Sequence, residues 1–157
     1  VCEQLCHQGL KLAADDAPHN NWYGEASTNE RQAFMAAAEG YGLVQLVSDH
    51  LDDPVANRLW RRYGKRAWLI LEAGRDDARQ WQPLLQHSDL LRAEARLLAE
   101  TEMIETLDDC LRRRTLIALQ TPKAQLLADP GLAELARILF AGEAESALQR
   151  FRQSAGY

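Results

Sequence analysis

The sequence predicts an all-α fold, a compact orthogonal bundle of about eight or nine short helices. Leu and Ala dominate the apolar positions, and both are strong helix formers. The alternating Val, Ile, Thr and Tyr runs of half-buried strands are absent. Helix-start and helix-stop signals recur along the chain, so the helices are short and joined by short turns.

Element by element, Cys2 to Ala14 reads as a first helix, with Leu5, Cys6, Gly9 and Leu12 roughly on one face. Asp15 to Ala26 is polar and holds the turn residues Pro18, Asn20, Asn21 and Gly24. Ser27 and Glu30 have capping-box spacing ahead of a helix from Thr28 to Glu39. Gly40-Tyr41-Gly42 interrupts it, and Leu43 to Leu51 is expected to resume. Asp53-Pro54 then predicts an N-cap and a first helical residue, with Gly64 as a left-handed C-cap. Lys65 to Ala73 reads as a short helix stopped by Gly74. Arg75 to His87 is irregular, with room for one helical turn before Pro83. Ser88 is expected to cap a long helix from Asp89 to about Met103. Thr106 and Asp109 repeat the capping-box spacing and split off a further helix to about Gln120. Thr121-Pro122 and Asp129-Pro130 open two more, the second ending at Gly142, and a last helix covers Glu143 to Gln153.

Composition narrows the function classes. The chain has 157 residues, a net charge of -5, 46% apolar and 26% charged residues. One domain of this size buries roughly 68–70% of its unfolded surface and needs no disulfide or metal to hold a core. Three cysteines do not make a disulfide scaffold, which points to a reducing cytoplasm. The acidic balance argues against a nucleic-acid partner. Apolar runs such as Ala67 to Leu71 fall far short of the ~20 residues that span a bilayer. Val1 to Leu12 carries Glu3 and lacks the basic start of a signal peptide. The first residue is Val1 and not Met, so a processed chain or a fragment is expected.

Candidate chemistry is sparse. Cys2, Cys6 and His7 make a C-x3-C-H cluster, but no further ligand follows at metal spacing, and a buried helix face is the expected role. His19, His50 and His87 have no i, i+4 partner for a helical metal site. Gly40 and Gly42 form a lone G-x-G with no preceding strand and no third glycine, so no dinucleotide turn is predicted. The basic runs Arg61 to Arg66 and Arg112 to Arg114 could hold nucleic acid, with Tyr63 as a stacking ring. Cations in a last helical turn among acidic neighbours are better read as ion pairs. On one continuous helix Glu102, Asp109 and Arg113 would share a face, with Glu94 nearby. Because Asp109 already caps at Thr106 and an arginine keeps both carboxylates ionised, a structural network or docking surface is expected, not acid–base chemistry.

Three ordered stretches resemble the C-terminal portion of aerobic, membrane-associated FAD-dependent glycerol-3-phosphate dehydrogenases. Trp60-Arg61-Arg62-Tyr63-Gly64-Lys65-Arg66-Ala67 looks like the family's "RYG-x-RA" segment. Ala93-Glu94 with Glu102-Met103 is similar to its "AE…HE" helix. Thr106 to Thr115 resembles "T-L-D-D-x-L-x-R-R-T", the most specific match. Together they cover about Asp53 to Leu119. Val1 to Gly24 is similar more loosely to the last helix of the flavin domain and the loop after it. Leu97 and Thr101 depart from the family's usual aromatic residue and His.

The resemblance implies a parent enzyme that oxidises sn-glycerol 3-phosphate to dihydroxyacetone phosphate through FAD and passes electrons to quinone. It implies that FAD and the catalytic residues lie in an N-terminal flavin domain of the same chain, this piece's expected partner. No catalytic, cofactor-binding or metal residue carries over, and the piece alone is not expected to be catalytic. Residues 1–26 would be the remnant of the flavin-domain helix and linking loop, and 27–157 the helical accessory domain. The carried-over signature is Tyr63, Gly64, Arg66, Glu94, Glu102, Asp109, Arg113, Arg114 and Thr115, in a packing or docking role. The expected location is the cytoplasm, with the parent peripheral on the inner face of the membrane. A free-standing helical interaction or regulatory dimerisation module is the alternative.

Overall fold

The computed structural model describes residues 26–48 and 51–154, with Ser48, Leu51 and Asp52 described by their backbone alone. The expected helix over Cys2–Ala14, the Cys2, Cys6, His7 cluster, His19 and His50 lie outside these residues. The architecture is all-α, as the sequence predicts. Helix α1 spans Thr28–Glu39, α2 Val55–Tyr63, α3 Ala67–Gly74 and α4 Arg92–Thr101. A wide π-helical turn, Asp109–Arg114, leads to α5 (Ile117–Gln120), α6 (Lys123–Ala128), α7 (Gly131–Phe140) and α8 (Ala144–Gln153).

Local signals set most of these boundaries. At α1 the Ser27 hydroxyl accepts from the Glu30 N–H (3.2 Å), and the Glu30 carboxylate accepts from the Ser27 N–H (2.7 Å). Glu30 also reaches Lys65 at 2.8 Å, which ties α1 to the end of α2. The reciprocal bonds recur at Thr106 and Asp109, where each side chain accepts the other's backbone N–H at 3.1 Å. Pro54, Pro122 and Pro130 each stand at the N-cap, one place before the position the sequence suggests. With Pro54 already at the N-cap, the Asp53 carboxylate is not a cap. It pairs with Arg61 at 2.7 Å.

Further expectations are corrected. The run from Thr106 to about Gln120 is not one helix, because the π-helical turn ends at Arg114 and α5 begins only at Ile117. Leu43–Leu51 does not resume a helix. Gly42 has φ +73°, and the chain turns into an antiparallel hairpin of β1 (Val47–Ser48) and β2 (Leu51–Pro54). Pro54 forces its predecessor into extended backbone, and Val44 and Val47 are poor helix formers. The long helix also begins three residues later than Ser88 suggests. The Ser88 hydroxyl accepts from Leu90 N–H (3.0 Å), and the Leu90 carbonyl accepts from Leu84 N–H (2.8 Å). Asp89 to Leu91 therefore stays extended, and α4 starts at Arg92 and ends at Thr101. Arg75–His87 contains the one turn it has room for, a 3₁₀ turn over Ala78–Trp81 capped by Asp77.

The core has two parts that share α4. Phe34, Ala38, Leu59, Ala67, Ile70 and Trp81 build the first, against Ala93 and Leu97 of α4. Phe34 lies between Trp60 and Trp68, with ring centroids 5.1 and 5.6 Å away. Leu85, Leu111, Leu126, Leu135, Leu148 and Phe151 build the second, against Ala95 and Leu98 of α4. Gly74 does more than stop α3. A Cβ there would sit 2.0 Å from the Trp81 ring, so the glycine lets the indole lie on the helix.

The α2–α3 and α7–α8 joints share one backbone. Tyr63 and Phe140 end their helices. Gly64 (φ +52°, ψ -130°) and Ala141 (φ +45°, ψ -113°) reverse the chain, and a 3₁₀ turn leads to Ala67 or Ala144. Glycine takes this conformation without cost, whereas in alanine it stores roughly 1–3 kcal/mol of strain. At Gly142 the sequence places the glycine one residue too late for the joint, and the space around it is open.

Ala141→Gly is therefore expected to raise stability by about 1 kcal/mol after the entropy cost of a new glycine, and Gly142→Ala, at an ordinary φ with open space around it, to raise it by about 0.4–1 kcal/mol through the lost freedom of the unfolded chain. Urea denaturation of the two variants measures this.

The Lys65 ammonium, with the Ser27 amide and hydroxyl, holds the Glu30 carboxyl down to about 2 from its ordinary 4.5. A depressed pKa contributes stability above the unfolded value that is lost as pH falls through the folded one. The melting-temperature gap between wild type and Glu30→Gln is expected to be full above pH 4.5 and closed near pH 2. A gap independent of pH would show that the charge is idle.

Candidate functional site

Among the described residues Arg58 stands out as a buried charge, in the apolar stripe of α2 with Val55, Ala56 and Leu59. It is fully buried, as is Glu94 in the first turn of α4. They meet in a two-pronged bond: Nη1 to Oε1 at 2.9 Å and Nη2 to Oε2 at 2.7 Å. Glu94 also accepts from the Leu91 N–H (2.9 Å), from Tyr63 Oη (3.1 Å) and, at 3.4 Å, from Arg62. One carboxylate thus caps α4 and gathers three side chains of α2. Asp89 completes the group. It bonds Arg62 at 3.1 Å and lies 3.2 Å from Arg58 Nε, whose N–H is not aimed at it, so that contact is coulombic.

Two guanidiniums and two carboxylates balance, so the buried charges are paired. Burial opposes the charged form of Arg58, but the Glu94 carboxylate outweighs it and the net shift is upward. Burial, then Glu94, pushes the Tyr63 phenol far above its ordinary range, so the hydroxyl stays a proton donor. Burial likewise pushes the Cys110 thiol up to about 12, which makes it a core residue and not a nucleophile.

A second node lies at the surface. Glu102, just past α4, accepts from Arg66 (3.1 Å) on one oxygen and pairs with Arg114 (3.2 Å) through the other. Arg66 also bonds the Thr101 hydroxyl, which in turn bonds the Leu97 carbonyl at 2.6 Å. The π-helical turn places Arg114 there. Its last residues close on Cys110, whose carbonyl accepts from both the N–H and the hydroxyl of Thr115 at 2.8 Å. Arg113 points to Asp109 at 3.0 Å and is largely exposed. Between the nodes opens a cleft of about 500 Å³ lined by Arg62, Tyr63, Arg66, Glu102, Arg113, Arg114 and Thr115, among others.

The structure places the singled-out residues as follows. Tyr63, Arg66, Glu102, Arg113, Arg114 and Thr115 meet at this cleft. Glu94 lies behind its wall, Gly64 makes the α2–α3 joint, and Asp109 caps and holds Arg113. Glu102, Asp109 and Arg113 do not share a helical face, because α4 ends before Glu102. The basic run Arg61–Arg66 is a set of ion pairs, as expected: Arg61 to Asp53, Arg62 to Asp89, Lys65 to Glu30 and Arg66 to Glu102. Arg58 and Asp89 are the members of the ion cluster that sequence reasoning passed over. The available signal was an arginine at Arg58 within an otherwise apolar i, i+3, i+4 stripe. Among the described residues no group of three His, Cys, Asp or Glu can hold a metal ion. No described helix is long and apolar enough to cross a membrane.

The fold and the two nodes define an all-helical domain whose charged residues bond one another across α2, α4 and the π-helical turn. The chain belongs to the family of the C-terminal domain of alpha-glycerophosphate oxidase, whose model matches residues 20–143. This bears out the resemblance of its motifs. No curated protein and no solved structure matches the chain.

Glu94→Gln leaves the Arg58 guanidinium buried without its full counter-charge and is expected to cost about 3–5 kcal/mol. Arg113→Ala removes an exposed i, i+4 pair and is expected to cost about 0–1 kcal/mol. Chemical denaturation separates the two, and equal losses would show that burial does not set the value of these pairs.

Proposed function

We propose that this domain is the non-catalytic C-terminal accessory domain of an FAD-dependent enzyme that oxidises sn-glycerol 3-phosphate to dihydroxyacetone phosphate. The observation that supports this is the family match over residues 20–143. The described residues do not fit FAD. Their two strands form an antiparallel hairpin, not a strand leading through a glycine turn into a helix. Gly64 reverses the chain between helices, Gly74 admits Trp81, and Gly131 lies against the Leu84 carbonyl, where a Cβ would sit 1.8 Å away. FAD, the reacting carbon and the catalytic groups are assigned to an N-terminal flavin domain of the same chain, with residues 27–157 as the accessory unit.

In this reading α2, α4 and the π-helical turn form one rigid wall that holds its cleft face toward the flavin domain. The parent is placed at the inner face of the cytoplasmic membrane, with quinone as electron acceptor. The family's description as an oxidase favours a second reading, in which dioxygen takes the electrons and yields hydrogen peroxide.

The test uses the enzyme encoded by the full gene. Quinone-analogue reduction that depends on glycerol 3-phosphate is expected, and stoichiometric peroxide would move the assignment to the oxidase. The 157-residue chain, given FAD and glycerol 3-phosphate, is expected to reduce no dye. Turnover by this chain alone would overturn its non-catalytic role. An open reading frame that begins at Val1, with no flavin domain upstream, would favour a free-standing interaction module.

A further inference from the structure

We propose that the cleft between α2, α4 and the π-helical turn is a binding site for a phosphoryl-type oxyanion, held by Arg66 and Arg114. The inference rests on the distribution of charge and stands independently of the reaction assigned to the parent. Around the cleft, four guanidiniums (Arg62, Arg66, Arg113, Arg114) face two carboxylates, Asp89 and Glu102. The pairs directly behind the wall do not cancel the excess. The buried node is neutral, with Arg58 and Arg62 against Asp89 and Glu94. The Arg113–Asp109 pair is neutral as well. The imbalance sits at one place, where Arg66 and Arg114 share the single carboxylate of Glu102.

Both arginines are a little under half exposed and come from separate elements, and both line the opening. A chain of net charge -5 thus concentrates a positive potential in one concave place. One hydroxyl donor accompanies it. Ser88 lines the cleft and accepts from the Leu90 N–H, which leaves its own O–H to donate. Planar guanidinium forks approaching from two elements, with a hydroxyl in the wall of the same cleft, suit the several oxygens of a phosphoryl group. The volume of about 500 Å³ is that of a small-molecule site. Glu102 has two roles here. It holds the two arginines in place, and its negative charge opposes the ligand's.

That second role gives the test its sign. The 157-residue chain is titrated with inorganic phosphate and pyrophosphate at constant ionic strength, and amide resonances and melting temperature are followed. Saturable shifts confined to residues around Glu102 and Thr115 are expected, with a Kd of about 1 mM or below. Arg66→Gln and Arg114→Gln are each expected to weaken binding about tenfold, the loss of one charged hydrogen bond. Glu102→Gln, which removes the opposing charge, is expected to tighten binding several-fold even as it lowers the melting temperature. A purely structural salt bridge would not produce that gain. Shifts that do not saturate, that survive unchanged in both arginine variants, or that weaken in Glu102→Gln would each overturn the site.

Discussion

Two buried ions must find each other, and this requirement fixes the relation of α2 to α4. Arg58 and Glu94 are both sealed from water, where an unpaired charge costs several kcal/mol. Glu94 answers with every acceptor position it has. It closes the first turn of α4 through the Leu91 N–H and accepts Arg58, Arg62 and Tyr63 of α2. Sliding either helix by one residue would carry the guanidinium off the carboxylate. The non-helical stretch Ser88–Leu91 follows from the same demand, because Asp89 has to stand beside Arg58 and Arg62 while Leu91 offers its N–H. The late start of α4 is thus a consequence of the ion cluster.

Local chemistry was legible wherever a residue acts on its own neighbours. The Ser27–Glu30 and Thr106–Asp109 boxes and the reversal at Gly64 involve partners within a few residues, and the structure has each of them, while the proline starts are displaced by one residue. What was not legible depends on partners distant in sequence. Ser88 has the look of a cap, but its hydroxyl serves Leu90 because the Leu84 N–H has claimed the Leu90 carbonyl. Arg58 reads as an ordinary helix arginine, and its burial is decided by Glu94, 36 residues away. The hairpin after Gly42 hid for a different reason. Its strands are too short to display an alternating pattern.

The candidate site was legible in its members and not in its geometry. The motif residues were in hand, but a single helical face through Glu94, Glu102, Asp109 and Arg113 requires a helix that the structure interrupts between Thr101 and Thr106. Thr101 ends α4, and Asp109 opens a new start by capping Thr106. The break has a result that a continuous helix could not give. It folds Arg114 back onto Glu102, next to Arg66 from the 3₁₀ turn after α2. Three stretches far apart in the chain then converge on one carboxylate.

The two nodes differ in kind, and the difference follows from solvent. At Arg58 and Glu94 water is excluded, so charges must balance within the protein, and they do. At Glu102 the arginines are open to the cleft, and solvent tolerates the excess cation that a buried site would not. An apolar pair in place of Arg58 and Glu94 could pack as tightly, but Leu against Leu accepts several registers, whereas a two-pronged guanidinium–carboxylate bond accepts one. The buried node therefore sets where α4 stands. Because Glu102 follows α4 directly, it also sets where the surface arginines meet. A change at the buried pair should thus be felt at the cleft through the position of α4, although no residue of the pair opens onto it.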